Sequence, residues 1–223
     1  MSLDEFTLRC RVGRPSVAEA NLRTETLLEK AAEVFIEHGY QRTSMEEIAR
    51  RAGTTKQTLY ARFPTKSDLF KEIVRAQAEC IRKGFASALG EDEAPETALM
   101  RYAESTTDLL SRNDLSGMVR TLIGALPEFP EMASYFWTSV LSSQREVLTS
   151  YLAAQQRLGR LRIPDPREAA EFLEGLCIGP FMLPSIIGLN VTLPPSQQHR
   201  RHQEALRIFL NAYAVPTSAT PSV

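Results

Sequence analysis

Residues 35–69, FIEHGYQRTSMEEIARRAGTTKQTLYARFPTKSDL, constrain the fold more than any other stretch of this chain. Gly39 supplies a helix stop. Ser44, followed three residues later by Glu47, has the spacing of a capping box. Ala49 and Ala52 keep the next helix thin where another must cross it, and Gly53 permits a tight turn. Thr54 or Thr55 then caps a short polar helix running to about Phe63. Pro64 closes that helix, and Thr65 with Asp68 starts a longer one. Two short helices joined by a glycine turn are a helix-turn-helix, whose second helix enters the DNA major groove.

The remaining sequence fits an all-α protein. Leu27, Leu28, Ala31, Ala32, Phe35 and Ile36 form one apolar stripe, predicting a helix over 22–38. The helix begun at Thr65 is expected to reach about Leu89, where GEDEAPE makes an acidic boundary. Further helices are predicted near 95–112, 116–125, 130–157, 166–188 and 197–213. No sustained period-2 alternation is present, so no strand is predicted. This gives a flexible basic arm at 1–20, a DNA-binding domain at 21–66, a larger helical domain at 67–214 and a disordered tail at 215–223.

The formal net charge is -1, so a nucleic-acid partner must be met by a local basic patch. No apolar run is long enough to cross a membrane, and the N-terminus lacks the apolar core of a signal peptide, so a cytoplasmic protein is expected. Cys10, Cys80 and Cys177 have no metal-ligand spacing. Cys80 and Cys177 are expected to pack as small hydrophobes. Cys10, beside Arg9 and Arg11, is the one expected to be exposed and reactive.

Phe35, Gly39, Tyr40, Thr43, Ser44, Met45, Ile48, Ala49, Ala52, Gly53, Thr55, Leu59, Tyr60, Phe63, Lys66 and Leu69 together resemble the DNA-binding domain of the TetR/AcrR family of transcriptional regulators. FPEMASYFW and LGRLRIPDPREAAEFLEGL look like one of that family's ligand-domain types. Arg62 departs from the pattern, standing where a histidine or tyrosine is commoner. It adds a cation beside the recognition helix.

The resemblance implies a homodimeric repressor that binds a palindromic operator and is released by a small, largely apolar effector. The recognition helix would be residues 55–63, with Leu59 and Phe63 facing inward because they are four apart. Thr55, Lys56, Gln57 and Tyr60 would then face DNA, where Gln and Lys can pair with purine edges. Lys66 sits in the first turn of its helix, where a cation opposes the dipole and a docked phosphate would offset it. Thr43 and Ser44 offer a second phosphate site by the same logic. Arg11 and Arg14, in a Gly-Arg-Pro arm, suit a narrow minor groove.

In the larger domain, Met100, Met118, Trp137, Cys177, Phe181 and Met182 are the candidates for an apolar pocket, although such residues are more often core. Gly179-Pro180 and Pro184 interrupt a helix nearby. Phe172, Leu176, Leu206, Phe209 and Leu210 form apolar stripes suited to a dimer interface, and Gly175 or Gly179 would allow close helix approach.

No nucleophile elbow, phosphate loop, dinucleotide fingerprint or HExxH is present. Hence no catalysis, cofactor or metal is expected; His199 and His202 are separated only by arginines. The alternative is a helical adaptor that binds protein rather than DNA. A steep salt dependence of duplex binding would separate the two.

Overall fold

A computed structural model describes residues 15–90, 92–110, 113–189 and 193–215, with backbone alone at 15–23, 110, 113 and 114. Its elements are α1 (Pro15–Arg42), α2 (Met45–Arg51), α3 (Lys56–Arg62), α4 (Lys66–Ala88), α5 (Pro95–Leu110), α6 (Asn113–Ala125), α7 (Glu131–Phe136), α8 (Ser142–Arg157), α9 (Pro166–Cys177), α10 (Gly179–Ile186) and α11 (Pro195–Tyr213). Among the described residues the only extended pairing is an antiparallel bridge between Leu161 and Ala214. The chain is all-α, as its periodicity predicts.

Local chemistry sets most boundaries. Gly39 breaks α1 with φ 76°, and Gly53 makes the α2–α3 turn with φ 63°, values that favour glycine. Ser44 Oγ accepts from the Glu47 backbone N–H at 3.2 Å. The Glu47 carboxylate turns away to Arg50, so that capping box is half formed. The box at α4 is complete: Thr65 N–H donates to Asp68 Oδ2 at 3.1 Å, and Asp68 N–H donates to Thr65 Oγ1 at 3.0 Å.

Two predicted helices are interrupted. The one expected over 130–157 contains a π-helical turn at Trp137–Leu141. The one expected over 166–188 breaks at Ile178 into α9 and α10, with a 61° bend. Pro180 fits the first turn of the new helix, where a missing N–H costs nothing.

Close contacts group the chain into two units, residues 1–81 with 113–142, and residues 82–112 with 143–223. The first is built on Phe35, Tyr40, Phe70 and Phe129, whose rings lie 5.1–5.7 Å apart. Leu27, Ile48, Leu59, Leu69, Met118 and Leu122 complete its core. It takes in α6 because α6 packs on α1. Thr121 Oγ1 donates to the Phe35 carbonyl at 3.2 Å. A Cβ at Gly117 would lie 2.8 Å from Ile36 Cγ2. Gly117→Val is therefore expected to force the two helices apart and cost about 1–3 kcal/mol, read as a lower denaturation midpoint.

The second unit buries Leu99, Tyr102, Leu148, Leu152, Leu173, Cys177, Leu206 and Phe209. It also buries His202, whose Nε2 lies 2.7 Å from Thr107 Oγ1. That hydroxyl donates to the Ala103 carbonyl at 3.0 Å. The network thus assigns the proton of a neutral imidazole to Nε2. Burial pushes the His202 pKa below 6.5, aided by His199 and opposed by Glu104 and Asp108. The unfolded chain then takes up this proton first. Stability contributed by the neutral imidazole is present above pH 6.5 and lost as the pH falls from there toward the lower folded value. Melting temperatures on either side of pH 6.5 should show this loss, and His202→Gln should flatten it.

Candidate nucleic-acid interface

The α2–α3 pair presents a polar helix on a packed support. Leu59 and Phe63 are buried, at 0% and 7% exposure, as their spacing predicts. Lys56, Gln57, Thr58 and Tyr60 stand exposed on α3. Thr55 caps the helix by accepting from the Thr58 backbone N–H at 3.1 Å, and its hydroxyl also meets Thr58 Oγ1 at 2.8 Å.

Glu46 on α2 forms an ion pair with Lys56. Each holds the other in its charged state: the carboxyl pKa is lowered chiefly by the hydrogen bond to Lys56, and the ammonium pKa is raised by the same bond. Lys56 also lies 5.6 Å from the centre of the Tyr60 ring. Arg62, the departure from the family pattern, donates to Thr24 Oγ1 on α1 at 2.6 Å. It braces α3 against α1.

Lys66 has a different environment from the one its sequence position suggests. Its ammonium donates to the carbonyls of Tyr40, Gln41 and Thr43 at 2.8, 3.2 and 3.1 Å. It also lies 4.5 Å from the centre of the Tyr40 ring. The unfavourable start-of-helix cation is thus offset by the carbonyl-rich end of α1, without a phosphate. Burial lowers its pKa, while Glu128 opposes the shift. Thr43 is likewise turned inward. It is buried, and its hydroxyl donates to the Gly39 carbonyl at 2.8 Å. Ser44 is exposed and serves as the α2 cap. Arg11, Arg14 and Cys10 lie outside the described residues.

The six pocket candidates are shared between the two units. Met118 belongs to the core of the first unit, and Trp137 stands 55% exposed on its π-helical turn. Met100, Cys177, Phe181 and Met182 fall in the second unit. There Cys177 and Phe181 are buried while Met182 is exposed. Burial pushes the Cys177 thiol pKa up to about 12, which keeps it a neutral, weakly nucleophilic thiol at neutral pH.

The interface candidates also divide. Phe172 and Leu176 are exposed, but Leu206 and Phe209 are packed inside the second unit. Leu210 is half-buried. A Cβ at Gly175 or Gly179 would meet nothing within 4 Å, so neither marks a close approach within the chain. Leu183, Ile187 and Ile208 were missed at the sequence level and are exposed apolar residues of α10, α11 and the loop between them. Glu46 was missed as well: its partner is ten positions away, beyond the reach of helix spacing.

A capped polar helix set across a glycine turn on a three-helix support defines a helix-turn-helix DNA-binding protein. Comparison with known proteins gives the family. Residues 27–73 match the profile "Bacterial regulatory proteins, tetR family", and residues 97–215 match "AefR-like transcriptional repressor, C-terminal domain". The chain belongs to the TetR family of transcriptional regulators, and it is a regulator rather than an enzyme. It is 28% identical to the HTH-type transcriptional repressor ComR of Escherichia coli over 174 residues, which is 75% of this chain and 80% of ComR. A structure from Mesorhizobium loti, described as a TetR-family transcriptional regulator, superposes with a TM-score of 0.81 at 25% identity. That match covers 88% of this chain and 98% of that one. The flavonoid-responsive regulator FrrA superposes with a TM-score of 0.71 at 26% identity, over 88% and 99% of the two chains.

Among the described residues, no single helix is long and apolar enough to cross a membrane. No group of three or more His, Cys, Asp or Glu among them is placed to hold a metal ion.

Proposed function

We propose that this regulator is a homodimeric repressor that binds a palindromic operator in the cytoplasm and leaves it when a small organic effector binds. The observation that carries the DNA reading is the bare polar face of α3, with Lys56, Gln57 and Tyr60 presented together. Gln57 is the candidate for a purine edge, and Lys56 for a base edge or a phosphate. Ser44 and Thr55 lie at helix starts, where backbone N–H groups favour phosphate. Arg11 and Arg14 would enter the minor groove. Residues 21–66 form the DNA-binding part in this reading, and 67–214 the regulatory part. The two matched family regions, 27–73 and 97–215, support that division.

For the dimer, the exposed residues Phe172, Leu176, Met182, Leu183, Ile187 and Ile208 supply an apolar face on the α9–α11 stretch that a second copy would cover. A two-fold dimer matches a palindrome because each half-site takes one recognition helix. The effector reading draws on FrrA, which is named flavonoid-responsive. An effector acts by binding better to a conformation whose two α3 helices no longer fit both half-sites. In this reading α4 carries the change.

Selection of duplexes from a random DNA library tests the proposal. An enriched palindrome, bound with a steep salt dependence, is the expected result. Enrichment of a single unrepeated site would remove the dimer reading. Absence of salt-dependent duplex binding, with or without added effector, would favour a protein-binding adaptor.

A further inference from the structure

The helix α3 has only seven residues, Lys56–Arg62, too few to hold an orientation by itself. Leu59 and Phe63 seat it in the core of the first unit at 0% and 7% exposure. Two buried side chains on one row stop the helix from lifting away but leave it free to roll about that row. Roll decides which side chains face a groove, so contacts off the row are needed to fix it.

Two such contacts are present. Three residues fall about 60° short of a full helical turn. Lys56, three before Leu59, and Arg62, three after it, therefore flank the buried row on opposite sides. Lys56 pairs with Glu46 on α2, and Arg62 Nη1 donates to Thr24 Oγ1 on α1 at 2.6 Å. Gln57, two before Leu59, falls on nearly the opposite face from the buried row.

DNA acts differently on the two ties. A phosphate or base edge competes with Glu46 for Lys56. Arg62, although exposed, is turned to α1. Its guanidinium lies 5.5 Å from the centre of the Phe63 ring, within range of a cation–π contact. Glu72 on α4 also senses it: the carboxyl pKa is lowered chiefly by the hydrogen bond to Arg75, with Arg62 acting in the same direction. A carboxylate near Arg62 has the wrong sign to welcome a phosphate.

We propose that Arg62 is a positioning residue for DNA recognition: tied to Thr24 on α1, it fixes the roll of α3 and so aims the exposed face that carries Gln57 and Tyr60, rather than binding a phosphate itself. The proposal rests on the reading of α3 as the DNA-contacting helix and adds a residue that acts through it. It gives a role to the arginine that departs from the family pattern.

The test uses the full chain, the duplex enriched from the random library and an unrelated duplex of equal length, at a temperature where every variant is folded. The readout is the ratio of the two affinities, which neither a loss of stability nor a lost phosphate contact changes. Arg62→Ala should lower the ratio about fivefold, the order expected for one exposed hydrogen bond. Thr24→Val, which keeps every charge, should lower it by a similar factor. The double variant should be no worse than Arg62→Ala alone, because both act through one contact. Arg62→Lys, which retains a long donor, should restore part of the preference.

An unchanged ratio in Arg62→Ala overturns the proposal. Additive losses in the double variant do so too. A direct phosphate contact would instead lower the salt slope of Arg62→Ala by about 1 on both duplexes and leave Thr24→Val at full affinity, and that result also overturns it. Gln57→Ala reports separately on the base contact. If it leaves the ratio unchanged while Arg62→Ala and Thr24→Val lower it, Gln57 loses its place in readout and the positioning role stands.

Discussion

Replacing Lys66 by methionine is expected to destabilise the N-terminal unit by about 2 kcal/mol. Methionine keeps an apolar stem and removes the ammonium. The carbonyls of Tyr40, Gln41 and Thr43 then lose a common donor at the end of α1. A neutral amine has two N–H bonds and cannot serve three acceptors, so the charged form is required. Arginine should rescue only part of the loss, because its planar fork does not converge on one point as an ammonium does. Denaturant titration of the three proteins checks the order Lys, Arg, Met. Equal midpoints for lysine and methionine would show that the three carbonyls do not depend on the ammonium. Binding of Lys66→Met to duplex DNA over a salt series, under conditions where it is folded, then addresses phosphate contact: a slope lower by about 1 would place a phosphate at this position as well.

Glu46→Gln is expected to tighten DNA binding severalfold, and Lys56→Ala to weaken it. Glu46 and Lys56 are both exposed and paired across the helix-turn-helix. A phosphate or purine edge must compete with the carboxylate for the ammonium. The carboxylate also carries the wrong sign for a polyanion. Removing it frees Lys56 and lowers the repulsion together, so the two substitutions act in opposite directions on one contact. In the double variant, Glu46→Gln should help less, because part of its benefit passes through Lys56. Affinities measured at two salt concentrations check this. Tighter binding to every sequence would assign Lys56 to phosphate, whereas a changed preference at one base would assign it to readout. A Glu46→Gln protein with unaltered affinity would remove α2 from the interface.

Which parts of this were legible in the sequence follows from the range of the forces involved. Ser44, Gly53, Thr55, Thr65 and Asp68 act within a turn or two of chain, through caps and backbone conformation, and their helices begin and end where those residues dictate. Leu59 and Phe63 face inward because a four-residue spacing leaves them no other shared face. The caps, glycine turn and inward spacing that define the DNA-binding motif are local, so its sequence was enough to identify it.

Contacts between distant residues were decided only by tertiary structure. Lys66 reads as a cation in an unfavourable helix position until the end of α1, more than twenty residues earlier, supplies its three carbonyls. Glu46 finds Lys56 only because the glycine turn brings α2 and α3 together. The apolar stripes of α9 and α11 look alike in one dimension, yet Leu206 and Phe209 go inside while Phe172 stays out. Helical periodicity marks an apolar face but not which neighbour covers it. Tyr151 belongs to the same class. Nothing in its local sequence sets it apart, and only the packing around it buries a hydroxyl without giving it a partner.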